Sequence, residues 1–241
     1  MHQQARAAAL RDPGGEPARP TVTARYVAIV SDGSARWAQR RGRPIGYGHE
    51  AAADTAIARI GDAIELGVRE LTLYAFSTEN WARADSEVQG LLSLLARRID
   101  ADTPVLHAQE VRINFIGRRD RAGDELVGAI GRAEELTKTN LGLRLYVAFD
   151  YGGRHEIARA AERYRGGGEA EFAKLLYAPE MHDPDLVIRT SGEQRLSNFL
   201  LWRAAYAELV FRDELWPDFG RAALEESLAQ YATRRRRFGA R

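Results

Sequence analysis

Four short segments of this chain combine charged and hydroxyl side chains with glycine in patterns that could handle phosphate. The first, at 32–37, reads Asp32-Gly33-Ser34-Ala35-Arg36-Trp37. Glycine permits a tight turn there, successive backbone N–H groups can point at one anion, and a helix starting at that point adds a positive dipole end. Arg36 could clamp a phosphate through two parallel hydrogen bonds. Asp32 is the odd member, because a carboxylate repels phosphate unless a cation lies between them. Mg²⁺, which favours a carboxylate together with phosphate oxygens, is the natural bridge. Taken alone, the segment is more simply a strand-to-helix turn with an aspartate cap and a surface arginine.

The second segment, 189–197, packs two arginines and three hydroxyls into nine residues. Arg189 and Arg195 offer guanidinium forks that suit the many acceptor oxygens of a diphosphate, and Ser197 adds a donor; a solvated polar loop accounts for the composition equally well. Glu208, close behind, is either a second Mg²⁺ ligand or a surface acid. The third segment is Ser77-Thr78-Glu79-Asn80-Trp81. Its side chains could relay a proton or position a water, although asparagine more often satisfies backbone groups. The fourth, 150–154, is Asp-Tyr-Gly-Gly-Arg. His49 could donate to a phosphate or act as an acid, while a lone histidine is more often structural.

These segments need elements to hold them. Short apolar, β-branched runs predict strands at 26–30, 70–76, 111–116, 143–149 and 186–189, with a further apolar piece at 209–211. Helical patterns cover 48–66, closed by Gly67, then 87–99, 124–137, 155–164 and 222–231. Alternating strands and helices imply an α/β fold, a mostly parallel central sheet with helices on both faces. Reactive groups in such sheets gather beyond the carboxyl ends of the strands, and each of the four segments directly follows a strand. Leu91, Leu92, Leu95 and Ile99 recur on one helical face; they suit ordinary core and the wall of a hydrocarbon tunnel alike.

The 241 residues suit one domain, expected at 21–241, behind a disordered tail at 1–20 rich in Ala, Arg, Gly and Pro and without the apolar core of a signal peptide. Net charge is +1, so no overall field recruits nucleic acid or an anionic membrane. Cysteine is absent, which excludes disulfides and thiolate metal sites and fits the cytoplasm. No apolar run approaches the ~18–20 residues of a membrane span, so stable membrane insertion is not expected. The arginine run 234–237 reads as solvated charge.

Taken together, the segments resemble the cis-prenyltransferases, the group that contains undecaprenyl diphosphate synthase. The similarity extends over 26–239. It is carried by D-G-x-x-R-W-A at 32–38, G-H at 48–49, L-T-L-Y-A-F-S-T-E-N-W at 71–81, Y-G-G-R at 151–154, D-L-V-I-R-T-S-G-E-Q-R-L-S-N-F-L-L-W at 185–202, L-W-P-D-F at 215–219 and R-R-F-G at 236–239. The resemblance implies a compact α/β domain with a hydrophobic tunnel, a homodimer, and condensation of an allylic prenyl diphosphate with a second five-carbon diphosphate. It implies that Asp32 holds Mg²⁺ and that Gly33, Ser34, Ala35, Arg36, Trp37 and His49 form the allylic diphosphate site. Arg189, Arg195 and Ser197 would grip the second diphosphate, and Glu208 would be a Mg²⁺ ligand offered by the other subunit. Ser77 and Asn80 would take up the proton lost after coupling, with Trp81 and Arg83 shaping a closing loop.

Several positions depart from the family pattern. The usual D-G-N-G-R-W has Ser34 for Asn and Ala35 for Gly, Ser31 stands where Met is common, and Asp150 stands where Asn is common. Ile45 occupies the place of an arginine, for which Arg43 is a substitute. The stretch between Arg154 and Asp185 is shorter than in long-chain members. Because these changes fall on the allylic side, they point to a short, head-to-middle (lavandulyl-type) coupling, with regular cis-1,4 elongation as the alternative. A non-catalytic subunit of a prenyltransferase complex is the rival of another class, disfavoured because Asp32, Arg189, Arg195 and Glu208 are all present. A binding module for another anion, such as a nucleotide, has only generic anion loops in its favour.

Overall fold

The computed structural model describes residues 24–234. The expected tail at 1–20 and the arginines at 235–237 therefore lie outside the described residues. Six strands form one sheet: β1 (Tyr26–Val30), β2 (Glu70–Ser77), β3 (Arg112–Ile116), β4 (Arg144–Tyr151), β5 (Leu186–Arg189) and β6 (Glu208–Phe211). Their spatial order is β3-β4-β2-β1-β5-β6, and every neighbouring pair is parallel. The helices are α1 (Ser34–Arg40), α2 (Ile45–Glu65), α3 (Asp85–Ala108), α4 (Asp124–Thr137), α5 (Gly153–Arg163), α6 (Gly168–Ala173) and α7 (Arg221–Thr233).

Alternate residues of each strand serve opposite faces. Val27, Ile29, Leu71, Leu73, Leu145 and Ile188 belong to one core cluster, shared with Ile60 of α2 and Leu224 of α7. Tyr26, Ala28, Val30, Tyr146, Ala148 and Val187 belong to a second, closed by Phe199 and Leu200. Burial of both faces explains why the strands read as nearly unbroken apolar runs. The sheet grows from β1 toward β2, β4 and β3 on one side and toward β5 and β6 on the other. The direction of winding thus reverses at β1, and a crevice opens beyond the carboxyl ends of β1 and β5.

Two helices differ from the sequence expectation. α3 continues to Ala108, past the expected end at Ile99 and through Pro104. Thr103 and Leu106 extend its buried stripe, and that packing outweighs the single backbone bond the proline removes. α6 lies in a stretch where no apolar period was legible; none of its side chains is buried, so its sequence carries no core-facing pattern.

Candidate active site

Gly33 makes the turn between β1 and α1 with a φ of 109°, and a side chain there would meet Leu215 at 2.8 Å. Both facts demand glycine. The turn leaves Asp32 half-buried at the carboxyl end of β1. Its backbone N–H donates to Thr190 Oγ1 (2.9 Å), and the same hydroxyl donates back to the Asp32 carbonyl (2.7 Å). Its carboxylate accepts from Arg189 Nη2 at 2.9 Å and lies 3.7 Å from Arg36 Nη2. Two guanidinium groups therefore flank one carboxylate.

Arg189 ends β5 and is 4% exposed. It also donates to the Arg195 carbonyl and to Ser197 Oγ, each at 2.6 Å. Its Nε is buried and has no hydrogen-bond partner, an orphaned donor of the kind an anionic ligand satisfies. The loop after it is tightly folded: Ser191, Ser197, Asn198 and Leu200 all take positive φ without being glycine, a cluster of strain typical of functional loops. Arg36 Nη2 bonds Ser191 Oγ at 2.6 Å, which ties this loop to α1.

Ser77 precedes a 3₁₀ turn, Thr78–Ala82, that contains Asn80, and the two cap its start reciprocally: Asn80 Oδ1 accepts the Ser77 N–H at 2.9 Å while Ser77 Oγ accepts the Asn80 N–H. The backbone-satisfying role of asparagine is thus real, and both side chains also line the cavity. His49, on α2, has a buried Nε2 without a hydrogen-bond partner, 3.5 Å from Glu87. Burial, reinforced by the charge of Arg83, lowers its pKa below the usual 6.5, so the ring that faces the cavity is neutral at neutral pH.

These groups rim a cavity of about 880 Å³, at the upper end of the ~300–1,000 Å³ of ordinary ligand pockets. Its mouth carries Asp32, Arg36, Arg83, Arg154, Arg189 and Asn198. Below them it descends between α2, α3 and the sheet to Leu106, Ile113, Ala133 and Leu145. In register, Leu145 pairs with Leu71 and Ser77 with Tyr151, so the cavity spans six residues of β2, roughly 20 Å at about 3.3 Å per residue. Leu91, Leu95 and Ile99 line it, whereas Leu92 packs in the core with Phe76 and Leu126. One polar spot interrupts the wall, where Arg98 bonds Asp102 (2.9 Å) and Asp54 (2.8 Å).

An arginine-rimmed mouth above a deep apolar channel is what the motifs led one to expect, and comparison with known proteins points to the same family. The family model described as "Putative undecaprenyl diphosphate synthase" matches residues 30–239. Isoprenyl transferase 2 of Bradyrhizobium diazoefficiens is 46% identical, over 89% of each chain. Isoprenyl transferase of Streptococcus pneumoniae is 43% identical over 95% of this chain and 97% of its own. The chain belongs to the cis-prenyltransferase family. Among solved structures, lavandulyl diphosphate synthase from Lavandula x intermedia in complex with dimethylallyl diphosphate superposes with a TM-score of 0.87 at 36% identity, covering 90% of this chain and 99% of that one. A probable undecaprenyl diphosphate synthase from Campylobacter jejuni gives 0.77 at 31% identity, with 90% and 98% covered.

In this cis-prenyltransferase, Asp32, Gly33, Ser34, Ala35, Arg36, His49, Ser77, Asn80, Arg83, Arg189 and Ser197 line one cavity. Trp37, Arg43, Trp81, Arg195 and Glu208 do not line it in this chain. The Trp37 indole donates to Asp218 (2.6 Å) and stacks on Tyr47. Arg43 lies over Tyr47 at 5.4 Å. The Arg195 side chain pairs with Glu193, and only its carbonyl touches Arg189. Glu208 begins β6 in register with Leu186, three residues before Arg189, and bonds Arg234 at 2.7 Å. Sequence reading placed Thr190 and Arg154 inside candidate segments without giving either a role, and missed Asn198. Asn198 bonds Glu79 (2.8 Å) and accepts the Arg154 N–H (2.8 Å); its place inside the quoted 185–202 string was the available signal. No helix of the described residues is long and apolar enough to cross a membrane.

Proposed function

We propose that this prenyltransferase elongates an allylic prenyl diphosphate with isopentenyl diphosphate by regular cis-1,4 addition. The observation that carries this reading is the depth of the apolar cavity, roughly 20 Å of strand length below the arginine-rimmed mouth. Coupling two five-carbon units needs only the upper part of it, whereas a growing hydrocarbon tail needs the whole.

Mg²⁺ fits the donor set. No group of three His, Cys, Asp or Glu side chains is arranged to hold a metal ion among the described residues, so Asp32 would hold the ion with phosphate oxygens completing the shell, as Mg²⁺ prefers. When bound, the ion neutralises diphosphate charge as a Lewis acid. Glu208 would join it from a second subunit of a homodimer.

The chain's own residues do the rest. Arg36 stabilises the negative charge that grows on the departing diphosphate as the allylic C–O bond breaks, while Arg189, with its unpartnered Nε, grips the diphosphate of the second substrate. The apolar channel keeps the resulting allylic cation dry. The double bond of the second substrate forms the new C–C bond, and the proton then lost from that substrate passes toward the Ser77 and Asn80 turn.

Head-to-middle coupling is the second reading. It is favoured by the higher TM-score of the lavandulyl diphosphate synthase and by Ser34 and Ala35 on the allylic side. Incubating purified protein and Mg²⁺ with geranyl diphosphate and either isopentenyl or dimethylallyl diphosphate, then identifying the dephosphorylated alcohols by mass spectrometry, separates the two. A ladder of linear products from isopentenyl diphosphate is expected; branched products from dimethylallyl diphosphate alone overturn the elongation reading.

A further inference from the structure

The ordered turn that carries Ser77 and Asn80 is held from behind by residues that touch no part of the cavity. Trp81 follows Asn80 directly, and its indole N–H donates to Asp150 Oδ1 at 2.9 Å. Asp150 stands at the carboxyl end of β4, 1% exposed and with a φ of 43° that a non-glycine residue rarely adopts. Its carboxylate also receives a two-pronged bond from Arg121, Nε to Oδ2 at 3.0 Å and Nη2 to Oδ1 at 2.6 Å. The Arg121 guanidinium in turn lies over the Trp81 ring, 4.6 Å from its centroid. Phe76 of β2 closes the remaining side edge-on, with ring centroids 5.3 Å apart.

One indole is therefore fixed at its N–H edge by Asp150, on its face by Arg121 and along its rim by Phe76. The first two constraints come from a single ion pair. That pair is largely desolvated on the carboxylate side, where electrostatic bonds are strong and an unmatched charge is costly. A neutral amide at position 150 could accept the indole N–H but could not hold Arg121 with a fork.

We infer that Asp150 and Arg121 are positioning residues for the coupling step: by immobilising Trp81 they fix where Ser77 and Asn80 present their polar groups to the second substrate. The inference rests on the role proposed above for the Ser77–Asn80 turn. Loosening the pair leaves the diphosphate grips of Arg36 and Arg189 in place, so it lowers kcat while the KM values for both diphosphates stay nearly constant. Displacing a reacting group by an ångström costs about 10²-fold in rate, and that is the loss expected for Asp150→Ala and Arg121→Ala.

The test measures kcat, both KM values and the melting midpoint for Asp150→Ala, Asp150→Asn, Arg121→Ala and Trp81→Phe, with Ser77→Ala and Asn80→Ala alongside. Asp150→Asn, which keeps shape and the indole acceptor, is expected to stay folded and recover part of the lost kcat relative to Asp150→Ala. Combining Asp150→Ala with Trp81→Phe should cost less than the sum of the two, because both remove the bond between the indole and the Asp150 carboxylate. A rise in KM with kcat unchanged in Asp150→Asn, or full additivity of the double variant, overturns the positioning role. Full activity of both Ser77→Ala and Asn80→Ala would instead sink the reading of the turn itself.

Discussion

Asp32 and Arg189 meet through a 2.9 Å hydrogen bond although 157 residues separate them. Arg189 is the last residue of β5 and Asp32 stands two residues beyond β1, with Val30 and Arg189 in register, so the bond sits in the crevice where the winding of the sheet reverses. Arg189 spends one nitrogen on Asp32 and another on two oxygens of its own loop, so a single planar group joins the turn after β1 to the loop after β5.

That geometry makes Arg189→Lys a severe change. An ammonium cannot serve the Asp32 carboxylate, the Arg195 carbonyl and Ser197 Oγ as a planar fork does. Steady-state assays with geranyl and isopentenyl diphosphate should show a loss of about 10²–10³-fold in turnover, together with a lower melting midpoint.

Divalent ion and Asp32 are expected to act as a unit. EDTA should suppress turnover by at least ~10²-fold, several kcal/mol of charge stabilisation being lost, and Mg²⁺ should restore it. Asp32→Ala should raise the Mg²⁺ concentration needed for half-maximal rate, read from a titration; an unchanged titration curve contradicts the assignment of the ligand.

Gly33→Ala tests the first turn. The backbone there has a φ of 109°, and the added methyl group would sit 2.8 Å from Leu215. Urea unfolding should show a destabilisation of about 1–3 kcal/mol, with weaker capture of the allylic diphosphate because α1 can no longer start where it does.

His49 sets a pH dependence. Its folded pKa lies below the unfolded value of 6.5, chiefly because it is buried. Between the two values the unfolded chain binds more protons, so stability is complete above 6.5 and falls as pH drops through that window. The unfolding midpoint of His49→Gln should decline less between about pH 7 and pH 5 than that of the parent; parallel curves refute the claim.

Narrowing the channel should shorten the product. Ala56 lines the cavity on α2, and Ala56→Phe fills space that a growing tail would enter. Mass spectrometry of the alcohols should show a distribution shifted to fewer added units with the first condensation intact. An unaltered distribution would mean the tail takes another route.

The order of strands and helices was legible in the sequence because each element carries its own period: apolar runs bounded by turn residues for the strands, a three-to-four spacing for the helices. The four phosphate-type segments could be placed after strands for the same local reason, and their glycine and arginine chemistry is intrinsic to the residues. Tertiary structure alone decided that β5 lies against β1, and hence that Asp32 touches Arg189, since strand order follows from pairings between distant parts of the chain. It also divided Leu91, Leu95 and Ile99, which face the channel, from Leu92, which faces α4, a distinction of angle around one helix that side-chain type does not encode. The hold of Asp150 and Arg121 on Trp81 is of the same kind. The three residues come from three elements and form this linkage only when β4, the loop after β3 and the turn after β2 converge, because a contact between side chains is a property of the folded distances and not of the sequence separation.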